Sequence, residues 1–166
     1  MELRPTGDRL KETLFNIVAP RIAGSRVLDV FAGTGAIGLE ALSRGAQQVV
    51  FIESDQEAVR LIRQNLALCG IAEGYRILQG DVFATLRTLA REAFAADLMF
   101  LDPPYQWGPY GDLLEILFGS GIAQPGSQVV IEHHRKSVMP EVEKGFRRVR
   151  TVKHGDNCLS FYQPIE

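Results

Sequence analysis

Acidic side chains lie at the ends of three successive segments that are predicted to be buried strands. Asp29 lies in "RVLDVF", Glu53 lies in "QQVVFIES", and Asp81 follows "YRILQG". The first strand runs into a glycine loop, "AGTGAIG", where Gly33 and Gly35 permit a tight turn and a close approach of a ligand to the backbone. Because the carboxyl ends of parallel strands meet at one edge of a sheet, we expect these groups to form one binding site.

The charge of this predicted site favours an adenosyl ligand that carries positive groups. A carboxylate at Asp29 would repel a pyrophosphate, whereas a sulfonium and an ammonium group would be attracted to it. Glu53 is at the position where an acid usually accepts hydrogen bonds from both ribose hydroxyls. Asp81 could accept from an adenine amino group, with Val82 and Phe83 in apolar contact with the ring. Each acid taken alone could also be a helix cap, and the conjunction of the three favours the ligand.

A fourth predicted strand ends in an acid, two prolines and a tyrosine. "DLMFLDPPY" places Asp102, Pro103, Pro104 and Tyr105 directly after an apolar run. A proline has a fixed φ and no N–H, so this loop cannot extend the sheet and its carbonyls are held outward. Trp107 and Tyr110 follow, and we expect them to form a mobile lip, with packing against the next helix as the alternative.

Strand-like and helix-like segments alternate along the chain, which predicts a parallel sheet with helices on both faces. The apolar spacing predicts a first helix over 8–18 that ends because of Pro20, and a helix after the glycine loop that ends at Gly45. "FRRVRTVKHGDNCLSFYQ" predicts an antiparallel pair of strands at one edge. The other expected elements are strands over 26–31, 47–54, 75–81, 97–102 and 127–134, and helices over 55–70, 82–94 and 110–121.

Length and composition indicate one globular domain over residues 1–166. The chain is 46% hydrophobic and 23% charged, without a run near the ~20 apolar residues that cross a bilayer. The first residues lack the apolar core of a signal peptide, so we expect a cytoplasmic protein without membrane contact. Cys69 and Cys158 match no metal-ligand spacing, so we expect two buried thiols and no metal site. Within the segment 127–134 we expect Glu132 to end the strand itself, and His133 and His134 to be polar loop residues after it.

Positive charge is concentrated near the C-terminus although the net charge is −2. Residues 27–132 hold six Lys/Arg and thirteen Asp/Glu, whereas residues 133–155 hold seven and two. This basic stretch could bind phosphates, or it could simply be a solvated strand and loop.

The motifs together resemble those of class I S-adenosylmethionine-dependent methyltransferases. "LDVFAGTGAIGLEAL", "FIESD", "GD" and "DPPY" are similar to the successive motifs of that class, and "LRPTGDRLKETLFNIV" resembles the opening of the bacterial small-subunit (16S) ribosomal RNA guanine-N2 methyltransferases. The resemblance implies a Rossmann-like fold with a mostly parallel seven-stranded sheet, an antiparallel C-terminal edge pair and helices on both faces. It also implies S-adenosylmethionine as the cofactor and ribosomal RNA as the substrate, within a small-subunit particle and with the enzyme as a monomer.

The resemblance assigns the cofactor and the reaction to particular residues. Thr6 and Arg9 would lie beside the methionyl end of the cofactor and the target pocket. Asp102 would accept one hydrogen of the guanine N2 amine and the Pro103 carbonyl the other, which aims the nitrogen lone pair at the methyl group. Tyr105 would stack on the flipped-out base. The full set of expected cofactor contacts is Thr6, Arg9, Asp29, Phe31, Ala32, Gly33, Thr34, Gly35, Glu53, Ser54, Asp81 and Val82, and the expected catalytic set is Asp102, Pro103, Pro104 and Tyr105.

Two alternatives remain open at the level of the sequence. The same loop could hold the N6 amine of adenine in DNA or RNA, or a protein glutamine amide, since all are planar NH₂ groups. A non-catalytic ribosome assembly factor that binds the cofactor is an alternative of another class, although such a factor would not need the amine-holding loop. Family members more often have a short basic segment before the stretch matching "LRPT", which here begins at Leu3. We therefore expect RNA affinity to come from the basic C-terminal strands and a preassembled particle, or the chain to be a shortened form.

Overall fold

The computed structural model describes residues 7–104 and 107–165 of the chain. Five helices and eight strands are found in these residues. The helices are α1 (Asp8–Ile22), α2 (Ala36–Ser43), α3 (Gln56–Leu68), α4 (Val82–Arg91) and α5 (Tyr110–Gly119). The strands are β1 (Arg26–Val30), β2 (Gln48–Glu53), β3 (Tyr75–Gln79), β4 (Ala96–Leu101), β5 (Ala123–His134), β6 (Val142–Glu143), β7 (Phe146–His154) and β8 (Asn157–Pro164).

All eight strands form one sheet in the order β3-β2-β1-β4-β5-β8-β7-β6. The first five strands are parallel to one another, and β8 runs antiparallel to both β5 and β7. The predicted fold class, a mostly parallel sheet with an antiparallel C-terminal part, is confirmed. The described residues form one strand more than the seven expected. The additional strand is β6, which pairs with β7 over only two residues and is too short to leave a pattern in the sequence.

Two apolar clusters cover the two faces of the sheet. Helices α1, α2 and α3 pack on one face, where Leu14 and Ile62 meet Phe51 and Phe100. Helices α4 and α5 pack on the other face, with Leu86 among the buried side chains there. The central strands are therefore buried on both sides, which explains their nearly continuous runs of apolar residues.

Three details of the fold differ from the sequence-based expectations. Helix α1 continues through Pro20 to Ile22, because the proline costs hydrogen bonding only in the last turn while Ile22 is buried at 1% exposure. His133 and His134 are the last residues of β5 and pair with β8, and are not loop residues. Cys158 is buried as expected, and burial raises the pKa of its thiol, but Cys69 is exposed after the end of α3.

None of the helices in the described ranges is long and apolar enough to cross a membrane.

Candidate active site

The end of β2 is joined to the glycine loop by one side chain. The Glu53 carboxylate accepts from the backbone N–H of Gly33 at 2.8 Å through Oε1 and from that of Asp55 at 2.9 Å through Oε2. These bonds fix a half-buried carboxylate at the carboxyl edge of the sheet. Each carboxylate oxygen has a second lone pair, so both can still accept from the hydroxyls of a ribose.

The backbone of the glycine loop follows an unusual path. Phe31 has a φ of 59° and Gly33 a φ of 57°, both in the left-handed region. A non-glycine residue there is strained, and such strain is found most often at ligand sites. A Cβ on Gly33 would meet no heavy atom within 4 Å, so the loop is open on that side. Gly38 has the opposite surroundings, because a Cβ there would lie 2.3 Å from the Phe51 ring. Gly38 is therefore the point where α2 packs closely on β2.

Asp29 is a buried carboxyl group at the centre of the site, with 4% of the residue exposed. Its Oδ2 accepts from the backbone N–H of Gly38 at 3.0 Å. The pKa of Asp29 is raised to about 8: burial raises it most, the Gly38 hydrogen bond lowers it, and the negative charges of Asp102 and Glu53 raise it. The charges of the other two acids therefore help to keep Asp29 protonated, and a bound cation would favour its ionised form.

The loop after β4 brings Asp102 next to β1. The backbone N–H of Asp102 donates to the carbonyl of Val30 at 3.3 Å, and its side chain is half-buried. Pro103 is buried and Pro104 is exposed, and the Pro104 carbonyl accepts from the Trp107 N–H at 3.0 Å. Tyr105, the fourth residue of the expected catalytic set, lies outside the described residues.

A small cavity between α1 and the sheet has three acidic residues in its lining, Asp29, Asp102 and Glu132. Leu14 of α1 and Ile37 of α2 line its apolar side. Asp29 and Asp102, both expected from the sequence to belong to the site, line the same cavity. A wider, open groove between α4 and α5 contains none of these acids. We locate the candidate site at the strand ends because the carboxyl groups and the glycine loop converge there.

Asp81 caps a helix in this structure. Its Oδ2 accepts from the backbone N–H of Ala84 at 3.0 Å, as Asp55 does from Ala58 at 3.0 Å. The Asp81 carboxylate is exposed at the same sheet edge as Glu53, so its contact with an adenine amino group stays a prediction.

An aromatic cluster lies beside this edge on the α4 and α5 face. The Trp107 ring centroid lies 5.4 Å from that of Phe31, 6.1 Å from that of Phe83 and 5.4 Å from that of Tyr110. Tyr110 is buried at 5% exposure. This packing agrees with the alternative for Trp107 and Tyr110, and closure as a lip stays a prediction.

The remaining expected cofactor contacts are distributed around the glycine loop and α1. The Ala32 N–H donates to the Ile52 carbonyl at 3.0 Å, and the Thr34 carbonyl accepts from the Asn65 side chain at 3.0 Å. Ser54 is exposed after β2, and Val82 is buried at the start of α4. Arg9 is exposed in the first turn of α1, and Thr6 lies outside the described residues.

Two structural contacts were not foreseen from the sequence. Asn65 in α3 holds the glycine loop through Thr34, and a single polar residue on a helix gives no signal for such a role. His133 lies with its Nε2 2.7 Å from the Ser160 hydroxyl, and burial lowers its pKa. Ser160 also accepts from Arg148 at 3.2 Å, which extends this polar network between β5, β7 and β8.

Comparison with known proteins identifies the family of the chain. Residues 1–163 match the family model described as conserved hypothetical protein 95. Ribosomal RNA small subunit methyltransferase D of Escherichia coli (strain K12) is 33% identical over 161 residues, which cover 97% of this chain and 79% of that protein. A solved hypothetical protein from Thermus thermophilus is 31% identical with a TM-score of 0.81, covering 96% of this chain and 88% of that one.

The fold is also shared with more distant enzymes. An RNA methyltransferase from Salinibacter ruber, solved in complex with S-adenosyl-L-homocysteine, has a TM-score of 0.72 at 21% identity over 98% of this chain and 94% of that one. That likeness shows a common fold. The match over residues 1–163 shows more, and the chain belongs to the conserved hypothetical protein 95 family, together with the Escherichia coli relative.

Proposed function

We propose that this protein transfers a methyl group from S-adenosylmethionine to the exocyclic N2 amine of a guanine in small-subunit ribosomal RNA. Family membership makes the protein an S-adenosylmethionine-dependent methyltransferase of small-subunit ribosomal RNA. The guanine N2 amine and the role of each residue are the parts that we add.

The observation that carries the proposal is the convergence of Asp29, Glu53 and Asp102 beside an open glycine loop. A cofactor with a sulfonium and an ammonium group fits this acidic edge, where Asp29 is held buried with its pKa raised to about 8. In the proposal the cofactor contacts are Thr6, Arg9, Asp29, Phe31, Ala32, Gly33, Thr34, Gly35, Glu53, Ser54, Asp81 and Val82. When bound, the cofactor supplies an electrophilic methyl group.

Asp102 and the Pro103 carbonyl hold the target amine in this proposal. The nitrogen lone pair of an exocyclic amine is delocalised into the base, and two hydrogen-bond acceptors draw the nitrogen toward tetrahedral geometry. The bound cofactor would supply the methyl group and leave as S-adenosylhomocysteine, and Asp102 would accept the proton that the nitrogen loses as its bond to the methyl carbon forms. Pro104 fixes the loop, and Tyr105 stacks on the base.

We also propose that residues 1–166 act as one domain and as a monomer on a small-subunit particle in the cytoplasm. One fact supports the single domain: both apolar clusters lie on the same sheet. The particle is proposed because its proteins could present the target guanine in a fixed geometry.

Transfer of labelled methyl groups tests the proposal. The protein is incubated with labelled S-adenosylmethionine and, separately, with purified small-subunit ribosomal RNA, small-subunit particles that lack the modification, DNA and protein extract. Nucleosides or amino acids are then separated to locate the label. We expect N2-methylguanosine in ribosomal RNA. Label in N6-methyladenosine or methylglutamine would contradict the guanine assignment, and cofactor binding without transfer to any substrate would favour the assembly factor.

A further inference from the structure

The positive charge of residues 133–155 is divided between the two ends of the strands. Part of it lies at the carboxyl edge of the sheet, where the candidate site is, and part lies at the opposite, amino edge. Strand β7 runs parallel to β5, because both are antiparallel to β8. Arg147 pairs with Gln163 at the amino end of β7, and Lys153 pairs with Cys158 at its carboxyl end. Six residues of extended strand place these two cations roughly 20 Å apart.

Lys153 is at the edge that holds the candidate site. Lys153 is level with His133, because both residues pair with Cys158. His133 lies two residues beyond Ile131, and Ile131 pairs with Leu101, the residue before Asp102. Three interstrand spacings separate β4 from β7, so Lys153 lies roughly 14 Å to the side of the Asp102 loop. Lys144 and Arg147 lie at the opposite edge.

The segment 135–139, which follows β5, lies between Lys153 and the Asp102 loop. Burial raises the pKa of the Tyr110 hydroxyl and the neighbouring Ser137 side chain lowers it, so Ser137 lies beside the start of α5. Met139 is buried at 7% exposure, and the next carbonyl, that of Pro140, accepts from the Tyr162 hydroxyl at 2.7 Å. The segment is therefore held against the start of α5, close to the loop that carries Asp102.

Three exposed cations belong to this part of the edge: Arg135, Lys136 and Lys153, which we call the basic rim. His134 and His154 both pair with Asn157 of β8. Arg135, which follows His134, and Lys153, which precedes His154, therefore lie at the same edge on the two sides of β8. Val138, in the same segment, is 91% exposed.

We infer that the basic rim binds the phosphates of the ribosomal RNA strand that flanks the methylated nucleotide. The inference rests on the proposed function and adds a location for the RNA backbone. When the target nucleotide is flipped into the Asp102 loop, the flanking nucleotides of the same strand remain outside the pocket. A few of these nucleotides can span the distance of about 14 Å to the cations of the rim. Exposed lysines and arginines bind phosphates without sequence preference, so the rim supplies affinity while the Asp102 loop selects the amine.

Two matched double variants test this inference. Lys136→Gln with Lys153→Gln removes two charges from the basic rim. Lys144→Gln with Arg147→Gln removes two charges from the amino end of β7, at the opposite edge of the sheet. Arg135 is left unchanged because its guanidinium pairs with Asp156 at 3.0 Å. The dissociation constant for purified small-subunit ribosomal RNA is measured at several salt concentrations, and cofactor affinity and thermal stability are measured on the same samples.

We expect the rim variant to bind the RNA about tenfold more weakly at 0.1 M salt, with a salt dependence reduced by roughly 1.5 in log–log slope. The opposite-edge variant should bind like the parent protein. Equal losses in the two variants, or no loss in the rim variant, would overturn the inference.

The proposed function can fail separately from the basic rim. If the parent protein methylates no ribosomal RNA but the rim variant alone loses RNA affinity, the inference stands and the proposed reaction is wrong. If the parent protein methylates guanine and both variants bind equally well, the reaction stands and the rim is wrong.

Discussion

The Glu53 carboxylate accepts a hydrogen bond of 2.8 Å from the backbone N–H of Gly33, which lies on a neighbouring strand's loop. One acid therefore has two tasks: it shapes the glycine loop, and it presents acceptor oxygens at the sheet edge. Because the backbone N–H of Asp55 donates to the other oxygen of the Glu53 carboxylate at 2.9 Å, the carboxylate is oriented before any ligand binds. Preorganisation of this kind lowers the entropic cost of binding, because this side chain does not have to be ordered when the ligand binds.

Replacement of Glu53 should weaken cofactor binding. Glu53→Ala removes the acceptors for the ribose hydroxyls and leaves the Gly33 N–H without its carboxylate. Hydrogen bonds to charged groups contribute about 1.5–3 kcal/mol each, so we expect the dissociation constant for S-adenosylmethionine to rise at least tenfold, measured by calorimetry. Glu57→Gln, an exposed acid in the first turn of α3, is the control. Equal affinities for parent and Glu53→Ala would contradict the assignment.

Asp29 should make the unliganded protein less stable as the pH rises. The folded state raises the pKa of this carboxyl to about 8, whereas the unfolded chain ionises near 4. The folded state therefore binds more protons between about pH 4 and pH 8, and stability falls across that window by about 1 kcal/mol per pH unit.

Asp29→Asn removes this titration, so its urea midpoint should depend less on pH than that of the parent protein from pH 5 to pH 9. Asp112→Asn, an exposed acid on α5, should follow the parent curve. Parallel curves for Asp29→Asn and the parent would show that the carboxyl does not titrate in this range.

Gly38 should not tolerate even a methyl group. A Cβ there would lie 2.3 Å from Phe51 Cε1 and 2.9 Å from Val49 Cγ1, both in the buried strand β2. We expect Gly38→Ala to lower the free energy of unfolding by about 1–3 kcal/mol in denaturant titration. Gly119→Ala, at the end of α5, would meet nothing within 4 Å and should be neutral or slightly stabilising. A neutral Gly38→Ala would contradict the close packing of α2 on β2.

The parallel part of the fold is encoded strongly in the sequence. Strands β1, β2 and β4 are apolar runs bounded by polar or glycine residues, and the helices between them have one apolar face. The local sequence pattern predicted the end of a helix less well where tertiary packing decides it. Helix α1 passes through Pro20 because Ile22 is buried, and no neighbouring residue signals that burial.

The residues of the candidate site that end a strand could be predicted from the sequence. The carboxyl ends of neighbouring parallel strands lie at the same edge of the sheet, and this does not depend on how the side chains pack. Asp29 and Asp102 converge for this reason. Contacts that depend on side-chain direction were not predictable: Asn65 reaches the loop carbonyl of Thr34, and His133 turns inward to Ser160. Asp81 shows a further limit, since a helix cap and a ligand acceptor require the same residue type at the same place.

The central claim is that Asp102 holds the target amine, and Asp102→Ala tests it most directly. The measurement is kcat for methyl transfer to small-subunit ribosomal RNA, with the S-adenosylmethionine dissociation constant determined on the same preparation. We predict a loss in kcat of about 10²-fold or more with cofactor affinity changed only severalfold, and a smaller loss for Asp102→Asn, whose amide oxygen can still accept. Asp112→Ala serves as the control. Near-normal turnover by Asp102→Ala would contradict the account.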